Sequence, residues 1–380
     1  MSRVPVYLDH AATTPLDARV LDVMLPYLTA VYGNPSSQHA FGQEARRAVL
    51  RARTQTAALI GASPEEIYFT SSGTESDNWA LRSIAAVRRA AGCRHIVTTA
   101  IEHAAVRETC RMLEGRGFSV TYLPVDGAGR VAPSAVAAAL RTDTALVSIM
   151  TANNEVGTIQ PIAEIGALLR TRGIPLHTDA VQAAGHIPLD VDMLGVDALS
   201  FSAHKFYGPK GIGVLYIRRG MRLPPLLYGG AQERDMRAGT ENTAGIVGCG
   251  CAAECAVAEM RAEEVRLRAD TELLRARLGT IDGIAFHGDP QTRLAGILNF
   301  GIKGMAQDTL LIRLDLAGFA VSAGSACSAG AVHPSHVLRA MGCTDEEAQR
   351  AIRVSLGRQT KRSDVDAFAD AVLQIASEVH

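Results

Sequence analysis

Seven short apolar runs recur between residues 67 and 217, and segments with helical periodicity separate most of them. Runs this apolar are typical of strands covered on both faces, the arrangement found in sheets of parallel strands. The pattern therefore predicts an α/β fold in which a mostly parallel seven-stranded sheet lies between layers of helices. The predicted strands span residues 67–70, 95–99, 119–123, 145–149, 174–178, 197–202 and 212–217.

The rest of the chain follows a different pattern, which predicts a second, smaller α+β domain. A polar, glycine-rich loop over residues 229–243 precedes a helical stretch over 244–279 that is rich in Ala, Glu and Arg. Further strands are predicted near 283–287, 294–300, 319–322 and 351–355, and a last helix over 364–379. We therefore expect a large domain over residues 15–255, and a small domain formed by 1–14 together with 256–380.

Composition narrows the class of function. The formal net charge is −1 and charged residues make up 20% of the chain, so we expect no direct binding to nucleic acid or to a membrane surface. No apolar run is expected to span a bilayer, and the N-terminus lacks the apolar region of a signal peptide. These features favour a cytoplasmic protein. The seven cysteines do not indicate a disulfide framework, and no metal site is predicted.

Lysine is rare in this chain, and its placement points to chemistry. The four lysines are Lys205, Lys210, Lys303 and Lys361, against 34 arginines. A lysine amine can be deprotonated and can condense with a carbonyl group, which an arginine cannot do. Lys205 follows a predicted strand and precedes a glycine-rich turn, a place that suits a phosphate and an aldehyde. A solvated loop lysine is the alternative.

Polar side chains follow other predicted strands, where the ligands of open α/β sheets bind. The segment 70–78 combines hydroxyl groups with a glycine turn before a helix expected from Trp79, which suits a phosphate, although a capped helix explains it as well. His103 could stack on an aromatic cofactor or cap a helix. Asp179 could pair with a pyridinium nitrogen and Gln182 could reach the phenolic oxygen of the same ring.

Two C-terminal features add to this set. Cys327 lies among small residues between glycines, so nothing bulky is expected to bury its thiol, and a reactive cysteine is favoured over a packed one. Arg353 lies within a predicted strand, where its charge needs a carboxylate partner. That partner could be the α-carboxylate of an amino acid or an internal acidic residue.

Together these stretches resemble the NifS/IscS-type cysteine desulfurases, which are fold-type-I enzymes dependent on pyridoxal 5'-phosphate (PLP). The matching motifs run over nearly the whole chain in the order found in that family. They are Tyr7-Leu-Asp-His-Ala-Ala-Thr-Thr-Pro15, Asn34-Pro-Ser-Ser37, Thr74-Glu-Ser76, Glu102-His103, Asn153-Asn-Glu155, Asp179 with Gln182, Ser202-Ala-His-Lys205, Gly239-Thr-Glu-Asn242, Gly324-Ser-Ala-Cys327 and Arg353-Val-Ser-Leu-Gly-Arg358.

The resemblance implies a role for each matching position. Lys205 would bond to the cofactor and move protons, His103 would stack on the ring and act as acid and base, and Cys327 would attack the substrate sulfur. The ring would be held by Asp179 and Gln182. The phosphate would be held by Thr74, Ser202 and His204, with Thr240 contributed by the second subunit of a homodimer. The cysteine carboxylate would be bound by Asn154 and Arg353.

The reaction implied is conversion of L-cysteine to L-alanine, with a persulfide left on Cys327 for a sulfur-acceptor protein. Iron–sulfur cluster assembly, tRNA thiolation and DNA phosphorothioation are the pathways such enzymes supply. The short C-terminal tail favours the DndA branch, which serves phosphorothioation. The alternatives are another fold-type-I PLP enzyme, such as an aminotransferase or selenocysteine lyase, and a non-enzymatic dimeric adaptor.

Overall fold

The structure, a computed structural model, describes residues 5–323 and 334–378. Strands and helices are numbered separately along the chain. The strands are β1 Val6–Tyr7, β2 Ile67–Thr70, β3 His95–Thr99, β4 Ser119–Leu123, β5 Thr144–Ser148, β6 Leu176–Asp179, β7 Ala198–Ser202, β8 Gly213–Ile217, β9 Ile284–His287, β10 Ile297–Ile302, β11 Phe319–Ala320 and β12 Ala351–Ser355. The helices are α1 Ala18–Thr29, α2 Ala40–Ala58, α3 Gly73–Ala90, α4 Ala104–Glu114, α5 Pro133–Ala139, α6 Ile162–Arg170, α7 Val191–Leu194, α8 Thr243–Leu278, α9 Gln307–Leu316, α10 His336–Ala340, α11 Asp345–Ala348 and α12 Arg362–Ser377.

The central sheet has seven strands in the order β2-β8-β7-β6-β5-β3-β4, which confirms the predicted fold class. Only β8 runs against its two neighbours, and the other pairs in the sheet are parallel. Strands β3, β5, β6, β7 and β8 are buried along their whole length. This burial on both faces explains why these strands read as continuous apolar runs.

Helix α3 begins six residues before its predicted start at Trp79. Ser72 is its N-cap residue, and the Ser72 hydroxyl accepts a hydrogen bond from the backbone N–H of Glu75 at 3.1 Å. Thr74 and Asp77 consequently lie in the first turns of the helix and not in the loop that the sequence predicted. The cap and the first helical N–H groups therefore stand directly at the end of β2.

A second hydrophobic core lies outside the central sheet. Its sheet is antiparallel in the order β12-β10-β9, and its buried residues come from the C-terminal third of the chain together with Leu8. Strand β1 pairs in parallel with β11 in this region. The predicted domain boundary at residue 255 falls inside the continuous helix α8, and the two-domain division stays a prediction.

Helix α8 bears on the sequence prediction that no segment spans a membrane. By length and composition alone this helix could cross a bilayer, and 56% of its most apolar window is buried inside the protein. It packs against α1 and α2. Burial of this kind is what a core helix shows, so the helix is weak evidence for a membrane span.

Candidate active site

A cavity of about 570 Å³ opens at the carboxyl ends of the sheet strands. Nine residues predicted from the sequence line it: Thr74, His103, Asn154, Asp179, Gln182, Ser202, His204, Lys205 and Arg353. They follow or end different strands, or come from β12 of the second core, so only the folded chain brings them together. Thr240 is exposed and is not among the described residues that line the cavity, and Cys327 lies outside the described residues.

Lys205 ends a short 3₁₀ turn, Ala203–Lys205, that directly follows β7. Its Nζ donates hydrogen bonds to the carbonyl oxygen of Ala11 at 2.6 Å and to that of Ala12 at 2.8 Å. The side chain is half-buried. The amine is therefore held at the cavity by the N-terminal segment, a contact between residues more than 190 positions apart that the sequence pattern did not reveal.

The turn between β2 and α3 forms one wall of the cavity, through Ser71, Ser72, Gly73 and Thr74. The first N–H groups of a helix have no acceptor within the helix, and they favour an anion. Strand β8 closes tightly behind this turn, since a Cβ added at Gly213 would lie 2.2 Å from the carbonyl carbon of Ser72. The arrangement is a backbone cradle of the kind that binds phosphate groups.

Two further predicted phosphate ligands lie beside this cradle. The Ser202 hydroxyl donates to the carbonyl oxygen of Ile212 at 3.2 Å, and Nδ1 of His204 lies 3.0 Å from the Thr13 hydroxyl. Burial, with Lys205 and Lys210 nearby, lowers the pKa of His204 to about 4. His204 is therefore neutral at pH 7, and it can act only as a neutral hydrogen-bonding group.

His103 is the N-cap residue of α4, as one of the two sequence hypotheses expected. Its Nδ1 accepts a hydrogen bond from the backbone N–H of Ala105 at 3.1 Å. In the neutral imidazole the ring proton is consequently on Nε2. Since the ring also lines the cavity, capping the helix and facing a ligand are compatible roles.

Asp179 ends β6, and only 5% of the residue is exposed. One carboxylate oxygen accepts a hydrogen bond from the backbone N–H of Val181 at 2.8 Å. Burial raises the pKa of this carboxyl group, while His103, the Val181 N–H and Lys205 oppose the rise. A buried carboxyl group facing a cavity suits a ligand that carries a proton on a ring nitrogen.

The remaining predicted ligands already have partners within the protein. Nε2 of Gln182 donates to the carbonyl oxygen of Ala11 at 2.9 Å. Arg353 donates to Oδ1 of Asp9 at 2.7 Å and to the backbone carbonyl of Asn154 at 2.7 Å. The Asp9 contact is the internal salt bridge that the sequence analysis left open, and Arg353 also faces the cavity.

Sequence reasoning missed three polar residues of this cavity wall. Asp77 lies on α3, Glu155 follows β5, and His336 begins α10. The Ser335 hydroxyl donates to the buried carboxyl group of Glu155, and Nε2 of His336 lies 3.1 Å from the backbone carbonyl of Glu102. Glu155 was part of a quoted motif and Asp77 lies in the segment 70–78 after β2, but neither was assigned a role, and His336 does not follow a strand, so the strand-end rule could not find it.

The donor set fits the predicted cofactor. A phosphorylated pyridine aldehyde needs an anion cradle, an acidic group for the ring nitrogen and an amine for the aldehyde. Residues that line this one cavity supply all three. The ligand atoms of Asp77, His103 and Asp179 also lie within 4.8 Å of one another, close enough for a metal ion by distance alone. The sequence prediction of no metal stays a prediction.

Comparisons with known proteins agree on one family for this chain. The aminotransferase class-V model matches residues 6–368. A cysteine desulfurase IscS of Methanosarcina thermophila is 48% identical over 380 residues, covering 98% of this chain and 92% of that protein. A solved structure of a NifS-like protein aligns with a TM-score of 0.93 and 40% identity over 99% of this chain and 100% of that one. DndA from Streptomyces lividans aligns with a TM-score of 0.78 and 40% identity, over 92% and 99%.

Proposed function

The chain belongs to the PLP-dependent cysteine desulfurases of the aminotransferase class-V family, and we propose that it leaves the sulfur of L-cysteine as a persulfide on Cys327. The observation that carries the proposal is the shared cavity. Lys205, His103 and Asp179 converge there with the backbone cradle at the start of α3. An adaptor protein that had only retained the fold would not need this set.

PLP, when bound, withdraws electrons from the substrate and so weakens the bonds at its α- and β-carbons. We assign the phosphate to the cradle with Ser202 and His204, and the ring nitrogen to Asp179. His103 would stack on the ring, and the Gln182 amide, which donates to the Ala11 carbonyl, would also reach the ring's phenolic oxygen. These placements follow the family pattern together with the positions of the side chains on the cavity wall.

Proton movement is assigned to Lys205 and His103. The Nζ amine of Lys205 would take the α-proton of the substrate. Its two carbonyl acceptors, on Ala11 and Ala12, hold the amine in place beside the cavity. The Nε2 position of His103 is the ring nitrogen left for exchange with the substrate, because Nδ1 is occupied by the Ala105 N–H.

Arg353 and Asn154 bind the α-carboxylate of the substrate in this proposal. The guanidinium of Arg353 is 2% exposed and stands between the second core and the cavity. Asp9 and the Asn154 carbonyl fix its orientation, which limits the entropy that substrate binding must remove. A planar guanidinium suits a carboxylate better than an ammonium group would.

The sulfur step needs no external oxidant. The thiolate sulfur of Cys327 bonds to the sulfur of the substrate, and the carbon–sulfur bond of the substrate breaks. The electron pair of that bond stays with the carbon, which then takes up a proton and becomes the methyl group of alanine. L-Cysteine and one thiol thus yield L-alanine and one persulfide.

A sulfur-acceptor protein and a homodimer complete the proposal. Thr240 is exposed and outside the cavity of its own chain, which suits a contact with the phosphate bound by a partner subunit. Tyr32 and Tyr228 are 75% and 83% exposed, as residues at a subunit interface would be in a single chain. DNA phosphorothioation, iron–sulfur assembly and tRNA thiolation are the proposed destinations of the sulfur, in the cytoplasm.

A single turnover with L-cysteine and no reductant tests the reaction. We expect one alanine per active site and a persulfide on Cys327, located by mass spectrometry. Cys327→Ser should bind PLP with the same absorbance and yield neither product. Cys343→Ser is the matched control, because this half-buried thiol lies in the turn before α11 and should not be needed.

Other outcomes would identify the alternatives. A keto acid as product would indicate an aminotransferase. Alanine formed equally well by Cys327→Ser would exclude a persulfide on this residue and favour a lyase. A protein that binds no PLP would indicate an adaptor and contradict the whole proposal.

A further inference from the structure

Besides Glu155, which accepts a hydrogen bond from Ser335, three carboxyl groups are buried at the cavity. Asp77, Glu102 and Asp179 are 1%, 0% and 5% exposed. Of the cationic groups at the cavity, His103 and Lys205 act on Asp179, whereas Arg353 is paired with Asp9 and Lys210 is exposed. Three carboxylates cannot all be charged in a buried site with so few cations, because each uncompensated charge loses its hydration. At least one of these carboxyl groups is therefore neutral.

Of the two cavity-lining residues Asp77 and Asp179, Asp77 has the surroundings that favour ionisation less. It projects from α3 with its Oδ1 atom 3.5 Å from Nε2 of His177, and Oδ1 accepts no hydrogen bond from the described residues. His177 is not a cation, since burial lowers its pKa to about 3 and its two nitrogens face the hydroxyls of Ser148 and Ser200. The contact of Asp77 with His177 is therefore not an ion pair.

The surroundings of Asp179 favour its charge much more. The Val181 N–H donates to it, and both His103 and Lys205 stabilise its ionised form. The pKa of Asp77 is raised by burial and by the charges of Asp179 and Glu102, and only Ser200 opposes the rise. Ligand atoms of Asp77 and Asp179 lie within 4.8 Å of each other, so ionisation of one disfavours ionisation of the other.

We propose that Asp77 is a positioning residue that works as a neutral acid, so that Asp179 is the one carboxylate facing the cofactor ring. Its carboxyl group links His177 of β6 and Ser200 of β7 to the cavity wall without adding a second negative charge. The inference rests on the proposed function, which places the ring nitrogen at Asp179. An amide of the same shape should then replace the Asp77 side chain, whereas an apolar side chain should not.

The test uses Asp77→Asn, Asp77→Leu and Asp179→Asn, each reconstituted with PLP labelled with ¹⁵N in its ring. Nitrogen NMR reports whether the ring nitrogen is protonated, and equilibrium dialysis gives the dissociation constant of PLP. Asp77→Asn should keep the protonated ring and bind PLP within about threefold of the wild type. Asp179→Asn should lose the ring proton and bind PLP at least about tenfold more weakly, the loss of one strong charge interaction.

Asp77→Leu should weaken PLP binding by at least about fivefold, and the Asn variant should restore it. Loss of the ring proton in Asp77→Asn would overturn the inference while leaving the placement at Asp179 intact. Wild-type behaviour of Asp77→Leu would overturn it too. If Asp179→Asn keeps its ring proton, the placement of the ring in the proposed function fails, and the inference fails with it. Should the Leu variant not fold, the two Asn variants alone decide.

Discussion

Glu102, next to the cavity-lining His103, is fully buried, and its hydrogen bonds with the described residues are made by one carboxyl oxygen. Oε1 accepts from the Thr99 hydroxyl at 2.6 Å and from the backbone N–H of Met150 at 3.0 Å, while Oε2 has no hydrogen bond among the described residues. Burial raises the pKa of this carboxyl group to about 8. The native state thus holds a proton that the unfolded chain releases near pH 4.5.

The raised pKa of Glu102 predicts how this one residue makes the stability of the protein depend on pH. Between pH 4.5 and pH 8 the native state binds the proton more tightly than the unfolded chain does, so this group's contribution to stability falls as pH rises. Glu102→Gln cannot titrate and keeps the shape. Its free energy of unfolding relative to the wild type should therefore rise by about 3–4 kcal/mol from pH 5 to pH 8.

Urea unfolding at the two pH values measures this difference. Glu44→Gln, on the exposed side of α2, is the control, and its difference from the wild type should not change because that side chain is in solvent in both states. An equal difference for Glu102→Gln at both pH values would contradict a protonated Glu102.

At the scale of elements, the loop after β8 is held in an unfavourable conformation. Glu233, Arg234 and Asp235 have φ angles of 45°, 57° and 65°, a run that non-glycine residues seldom adopt. Arg53 of α2 donates to both carboxylate oxygens of Glu233 at 2.7 Å. The guanidinium of Arg234 lies 4.1 Å from the ring centre of Tyr68. These contacts with α2 and β2 hold the loop that leads to Thr240.

Glu233→Ala should lower the free energy of unfolding by about 3–5 kcal/mol, because it leaves Arg53 buried without its carboxylate. Adding Arg53→Met to this variant should recover part of the loss. Asp143→Ala is the control for an exposed pair, and removing its bond to Arg141 should cost less than about 1 kcal/mol. Urea unfolding of the four proteins decides, and a double variant less stable than Glu233→Ala would contradict the argument.

Several of the strands could be predicted from the sequence alone. Strands β2, β3, β4 and β12 begin and end at the predicted residues, because short apolar runs between turn residues are a local signal. The strand-end rule likewise found Lys205. The start of α3 stayed open between a loop and a capped helix, and the Ser72 cap confirms the capped helix. No local pattern could predict that Asp9 pairs with Arg353, since these residues lie 344 positions apart.

At the scale of the whole molecule, Tyr207, two residues after Lys205, links segments from distant parts of the chain. It is 3% exposed and has a φ of 67°. Its backbone N–H donates to the Thr14 hydroxyl at 2.9 Å. Its phenolic oxygen accepts from the backbone N–H of Arg358 and donates to Glu263 of α8. One residue thus connects the N-terminal segment, through its backbone, with α8 and the segment after β12, through its side chain.

Tyr207→Phe should lower the free energy of unfolding by about 1–3 kcal/mol, since it leaves the Arg358 N–H without its acceptor in a part-buried place. Tyr122→Phe, at a residue whose exposed hydroxyl lies 3.4 Å from Glu114, should change it by less than about 0.5 kcal/mol. Thermal or urea unfolding measures both. Equal stability of the two variants would show that the Tyr207 hydroxyl does not link these segments.

The position of the N-terminal segment has a consequence for synthesis of the chain on the ribosome. Strand β1 pairs with β11, and the backbone N–H of Ser355 donates to the carbonyl oxygen of Leu8, so the N-terminal segment can dock only after residues 319–355 have been synthesised. The central sheet can form earlier, because its strands lie between residues 67 and 217. We therefore expect Lys205 to gain its acceptors, Ala11 and Ala12, only after β12 has been synthesised, well after the central sheet can form.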